Sequence, residues 1–197
     1  MMVSIPATIG LAALGSHILV FIYGEEYAGA AIPLLFLAPI LVISAYIGLA
    51  SGLFSVREKP KEIFKISLIV LLLILFLNYL LIKIFSLYSL TFAIAGAAIA
   101  TLLSWIIYAA GLNLLARKKL NIKTEAMLIV KPLISSAIMA LVLFFLKKAF
   151  IDINLISGLL LVLSGVIVYT LAMFVLCGIS KEDISMMKSL GTRIKFL

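Results

Sequence analysis

Apolar positions along this chain come in long blocks, not at the spacing of an amphipathic helix or a half-buried strand. Six apolar runs, at 3–23, 30–54, 63–82, 91–116, 126–146 and 153–177, are separated by short polar stretches. Each is long enough to cross a hydrocarbon core, which takes about 20 apolar residues in a helix. Backbone groups in that core must be bonded within their own segment, and runs without two-residue alternation predict helices over barrel strands. The predicted fold is an all-α integral membrane protein, a bundle of about six transmembrane helices within residues 1–179. Residues 180–197 follow another pattern. Ser180-Lys181-Glu182-Asp183 has the form of a capping box, and Ile184, Met187, Leu190, Ile194 and Leu197 recur at helical spacing with Lys181, Lys188 and Lys195 on another face. This predicts a C-terminal amphipathic helix lying on the membrane surface.

Composition agrees with the pattern. At 65% hydrophobic and 12% charged residues, with a mean hydropathy of +1.34, the 197-residue chain has too few polar side chains to coat a soluble domain. The first run opens at once, with no basic region before it and no cleavage pattern after it, so it is expected to be a retained span. The chain is accordingly expected to be the later part of a longer polypeptide or to start at an internal methionine. A net charge of +8 would raise the question of nucleic acid in a soluble protein. Here its distribution gives a different answer, and no nucleic-acid partner is expected. Thirteen cations (Arg57, Lys59, Lys61, Lys65, Arg117, Lys118, Lys119, Lys123, Lys131, Lys181, Lys188, Arg193 and Lys195) fall on one side of the predicted topology, and three (Lys83, Lys147 and Lys148) on the other. The positive-inside bias puts both chain ends in the cytoplasm and the corner at Gly24–Tyr27 outside, in a multi-pass protein of the cell membrane.

Chemistry is sparse. The single cysteine, Cys177, excludes an intramolecular disulfide, and there is no Walker loop, zinc-type H-E-x-x-H, nucleophile elbow or pair of carboxylates at usable spacing. The expectation is a protein without enzymatic activity, cofactor or metal. All eight acids (Glu25, Glu26, Glu58, Glu62, Glu125, Asp152, Glu182 and Asp183) lie in connections or at span ends. Polar groups within the apolar runs are His17, Asn78, Asn113 and Lys131, each costly in lipid unless it meets a cavity, a partner helix or the headgroups. The asparagines are expected to bond between helices, and Lys131 to reach the headgroup region. Gly48 and Gly52 form a G-x-x-x-G, and Gly96, Ala97, Ala98, Ala100 and Thr101 leave one side of the fourth span smooth. Both patterns predict close helix packing, with a sliding pathway wall as the sharper alternative.

Taken in order, several of these pieces resemble the C-terminal part of the polysaccharide exporters and lipid-linked oligosaccharide flippases of the multidrug, oligosaccharidyl-lipid and polysaccharide exporter superfamily. They are Gly24-Glu25-Glu26-Tyr27 followed by Ala28, Ala31 and Leu34; the basic turn Arg57-Glu58-Lys59-Pro60-Lys61; Asn78 with Leu81-Ile82; and Gly96-Ala97-Ala98-Ile99-Ala100-Thr101. The match is strongest over 3–120. Departures occur at Val56 and Arg57, where the family usually has a small residue and glycine, and at Lys83, where it often has proline. The resemblance implies the second half of a transporter that moves a polyprenyl-linked sugar by alternating access, partnered by membrane lipids and by an N-terminal half or another copy of itself. It further implies that the first two spans line the cavity, with His17 as the polar contact from this half. A non-transporting membrane subunit or remnant is the alternative. A multidrug antiporter of the same superfamily is a third reading, which the lack of a carboxylate at mid-depth disfavours.

Overall fold

The computed structural model describes residues 1–57, 60–120, 127–149 and 155–176; the predicted tail helix at 180–197 lies outside them. Among the described residues the elements are all helical: α1 (Ser4–Tyr23), a 3-10 turn (Glu25–Ala30), α2 (Ala31–Leu37), α3 (Ile40–Val56), α4 (Pro60–Ser86), α5 (Leu90–Leu120), α6 (Met127–Ala149) and α7 (Leu155–Val175). Six helices among these residues are long and apolar enough to cross a membrane, counting the 3-10 turn, α2 and α3 as one interrupted span from Glu25 to Val56.

Local chemistry sets the boundaries. Pro6 falls in the first turn of α1, where its missing N–H costs nothing, and Pro60 opens α4 for the same reason. At the other end of α1, Gly24 has φ 93° and ψ 171°. That region is essentially open only to glycine, so the chain reverses there because residue 24 has no Cβ. The second run, expected to be continuous, is broken. Pro39 cannot donate to the carbonyl of residue 35, so α2 stops at Leu37 and α3 restarts with short-range bonds from Leu41 N–H to Ala38 O (3.1 Å) and Val42 N–H to Pro39 O (3.1 Å). The third connection is shorter than expected: α4 continues to Ser86, leaving Leu87–Ser89 as a tight turn in which Ser89 Oγ accepts from Phe92 N–H at 3.3 Å and caps α5.

Packing divides into two clusters joined by α1. In the first, α5 meets α2, α3 and α4, with Ile47, Ala50 and Phe54 of α3 against Leu112 and Ala116 of α5. In the second, Leu14 of α1 packs on Met139 and Leu143 of α6 and Leu161 of α7. The α4–α5 approach is close because Gly96 lies on the backbone of Leu81: a Cβ there would stand 3.0 Å from the Leu81 carbonyl oxygen. Ser67 Oγ and Tyr108 Oη, 2.8 Å apart, add a hydrogen bond across the same pair. By contrast α4 has no buried residue in its most apolar stretch, so apart from its seam with α5 it turns Phe64, Leu68, Leu72, Leu75 and Phe76 outward.

These contacts fix which helix ends lie together. Tyr169 Oη donates to the carbonyl of Met2, so the C-terminal part of α7 lies beside the start of α1. The pairing of α3 with α5, and the contact of Gly111 with Ile66, puts the ends of α3 and α5 beside the start of α4. Arg57, Lys61, Lys65, Arg117 and Lys118 are thereby gathered at one end of the bundle, and Lys83 and Lys147 belong to the other.

Candidate functional site

Three places concentrate what polar chemistry the bundle has. The first is the corner at the end of α1. Gly24 N–H bonds to Val20 O at 2.8 Å, Tyr27 N–H returns to Gly24 O at 3.1 Å, and the Tyr23 and Tyr27 rings stand 5.4 Å apart and tilted by 42°. Glu25 and Glu26 are exposed. Each member of Gly24-Glu25-Glu26-Tyr27 therefore has a local role: the glycine makes the reversal, the acids stay in solvent, and the paired tyrosines offer the rings that favour a membrane–water boundary.

The second is the break between α2 and α3. The Ala38 carbonyl, which already accepts from Leu41 N–H, also accepts from Thr8 Oγ1 at 3.1 Å, which ties the break to α1. Sequence reading passed over Thr8; the proline one residue after its acceptor was the available signal. Beyond the break, α3 carries Ser44, Gly48, Ser51, Gly52 and Ser55 along one side. A Cβ at Gly48 or Gly52 would find nothing within 4 Å, so among the described residues these glycines are not at a helix contact, where close packing was expected of them. The reason is rotational. Ile47, Ala50 and Phe54 take the contact with α5, and the glycines sit about a quarter to a half turn away. The serines bond inward to their own helix: Ser44 Oγ to Leu41 O (3.0 Å), Ser51 Oγ to Ile47 O (2.7 Å) and Ser55 Oγ to Ser51 O (3.0 Å). The face is smooth, and its hydroxyl lone pairs remain able to accept.

The third is a cleft between α1, α6 and α7 with a volume of about 510 Å³, walled by Pro6, Gly10, Leu14, Met139, Val166 and neighbouring residues. Tyr169 and Thr170 bring the hydroxyls to it. Near it, Ser136 is fully buried on the α6 face that also carries Met139 and Leu143, and its hydroxyl has no hydrogen-bond partner. Nothing in the sequence pattern had singled out Ser136.

His17 belongs to none of the three. It is half-buried, and its Nδ1 lies 3.1 Å from the hydroxyl of its own neighbour Ser16. Asn78 bonds to Ile74 O of its own helix at 2.8 Å, not to another helix as expected. That choice is physically simple, since a carbonyl one turn back is always within reach. Gly96 and buried Ala98 pack as expected, and Thr101 Oγ1 returns to Ala97 O at 2.9 Å. No group of three metal-ligating side chains occurs among the described residues. No family model, curated protein or solved structure matches the chain.

Proposed function

We propose that the chain is the C-terminal half of a membrane transporter that flips or exports polyprenyl-linked oligosaccharide or polysaccharide precursors by alternating access. The observation that carries the reading is the α3 face of Ser44, Gly48, Ser51, Gly52 and Ser55, which is open in this half. A hydroxylated, side-chain-poor surface next to a broken span suits a wall along which a sugar passes, since discontinuous helices at mid-membrane are a recurrent feature of secondary transporters. The order of the corner, basic-turn and Gly96 motifs supports the same reading. His17 is retained as the candidate polar contact from α1, and the acids at the helix ends leave any coupling carboxylate to the other half. In this reading the protein sits in the plasma membrane with the cation-rich end inward.

The test is flipping of a polyprenyl-phosphate-linked sugar in proteoliposomes, by this chain alone and together with any transporter half encoded upstream of it. Gly52→Trp should abolish flipping while leaving folding unchanged, because the added ring meets open space in this half. Unchanged flipping by Gly52→Trp would remove α3 from the path. A chain that folds, binds no other half and flips nothing would be a non-transporting membrane subunit.

A further inference from the structure

One side of α4 is given to α5: Ile66 touches Gly111, Ser67 bonds to Tyr108, and the Leu81 backbone lies against Gly96. At about 100° per residue, Lys61, Lys65, Leu68, Leu72, Leu75 and Tyr79 fall within about 60° of the opposite direction, and all six are exposed. Lys83 closes this stripe at the far end, its Nζ 5.8 Å from the centre of the Tyr79 ring.

Size and charge together say what covers the stripe. Helices in a membrane meet through small residues, but between Lys65 and Lys83 every exposed residue of α4 is Leu, Ile, Phe or Tyr. That surface suits acyl chains, unlike the serine and glycine face of α3. Lys61 and Lys83 are twenty-two residue steps apart, about 33 Å of helix, against a hydrocarbon core of about 30 Å. The cations thus stand where headgroups begin. A second copy packed α4 to α4 about a two-fold axis along the membrane normal would set Lys61 and Lys65 against their own duplicates, with no acid on the stripe to separate them. Glu62, the acid of that turn, is half-buried and about 100° round from Lys61.

We propose that the outward side of α4 is covered by phospholipid, and that Lys61 and Lys65 form a site for the phosphate headgroup of an anionic one. The two residues stand one helical turn apart at the head of the apolar strip, so a headgroup bound there keeps its chains on Leu68 and Leu72. A lysine at the membrane surface favours anionic lipid by about fivefold, and the pair by up to about 25-fold before screening. The site goes beyond the transport reading and does not rest on it, since it sets α4 at the periphery whatever the α3 face meets.

The experiment reads lipid contact at the stripe itself. The full chain carrying Trp105→Phe and Leu68→Trp is reconstituted in bilayers of phosphatidylcholine and phosphatidylglycerol, one or the other brominated on its acyl chains. Quenching of the indole at position 68 gives the relative affinity of the two lipids. Phosphatidylglycerol should be preferred at least fivefold. Lys61→Gln with Lys65→Gln should bring the preference below twofold with helix content unchanged by circular dichroism, whereas Arg117→Gln with Lys118→Gln on α5 should leave it unchanged. If the α4 double variant fails to fold, about 1 M salt takes its place, because a Debye length of about 3 Å removes the preference of exposed lysines. Equal affinity for the two lipids, a preference that survives loss or screening of the lysines, or an equal fall in the α5 variant would each overturn the proposal. So would disulfide-linked pairs of a Leu72→Cys, Cys177→Ser chain in the same bilayers, which would put a second copy on this side.

Discussion

Replacing Gly96 and Gly52 separately by alanine measures what close approach contributes to this bundle. Both lie within helices, so both substitutions gain the same ~1 kcal/mol of helix propensity, and the difference between them isolates the environment. At Gly52 the new methyl meets nothing within 4 Å; at Gly96 it stands 3.0 Å from the Leu81 carbonyl oxygen and 3.0 Å from Phe85 Cδ2. The phenyl ring can rotate away, but the carbonyl belongs to the backbone of α4 and cannot move without shifting the helix. Overpacking of this kind costs about 1–3 kcal/mol, so Gly52→Ala should be stabilising or neutral and Gly96→Ala should lie about 2 kcal/mol below it. Reversible unfolding in mixed dodecylsulfate micelles, followed by the fluorescence of Trp105 on α5, reads the difference in a single-chain state in which α3 has no other partner. Adding Phe85→Ala to Gly96→Ala should restore only part of the loss. Equal stabilities for the two alanine variants, within about 0.5 kcal/mol, would refute the inference that α4 and α5 are held at this separation by the missing side chain.

Other outcomes follow from single groups. Gly24→Ala should destabilise by about 1–3 kcal/mol in the same unfolding assay, since φ 93° with ψ 171° is strained for any residue with a Cβ; a neutral result would mean that the corner relaxes to another turn. Thr8→Val removes the hydroxyl that reaches Ala38 O and should cost about 0.6 kcal/mol, the usual size of an interhelical hydrogen bond in a membrane. Ser136→Ala deletes a buried hydroxyl without a partner and should be neutral or stabilising by up to about 1 kcal/mol; a loss of stability would reveal a bond that this arrangement lacks. A cysteine at Glu26 should react with an impermeant maleimide on intact cells and one at Lys118 only after permeabilisation, and the opposite pattern would invert the topology drawn from the charges.

What the sequence made legible, and what it did not, divides along a physical line. Length and turn chemistry are one-dimensional, so the helices, the start of α4 at Pro60 and the reversal at Gly24 could be read directly. Which side of a helix faces a neighbour could not. In a soluble bundle the polar face marks the outside, but α1, α3 and α5 are apolar nearly all round, and a side that meets lipid is written in the same residues as one that meets protein. Small residues are then ambiguous: they say where a helix could approach, not whether one does. Gly96 meets the Leu81 backbone, while Gly48 and Gly52, the stronger motif on paper, are left open by the rotation that gives Ile47 and Phe54 to α5. The polar residues failed to mark contacts for a related reason. Asn78 and the serines of α3 find acceptors one turn back on their own helices, so a polar group inside a span does not by itself call for a partner. Thr8 and Ser136 show the complement. Thr8 reaches across to Ala38 O, which Leu41 N–H already bonds, and Ser136 is fully enclosed with no bond to its hydroxyl among the described residues. Both depend on the placement of a neighbouring helix, and that placement is what a uniformly apolar sequence leaves unwritten.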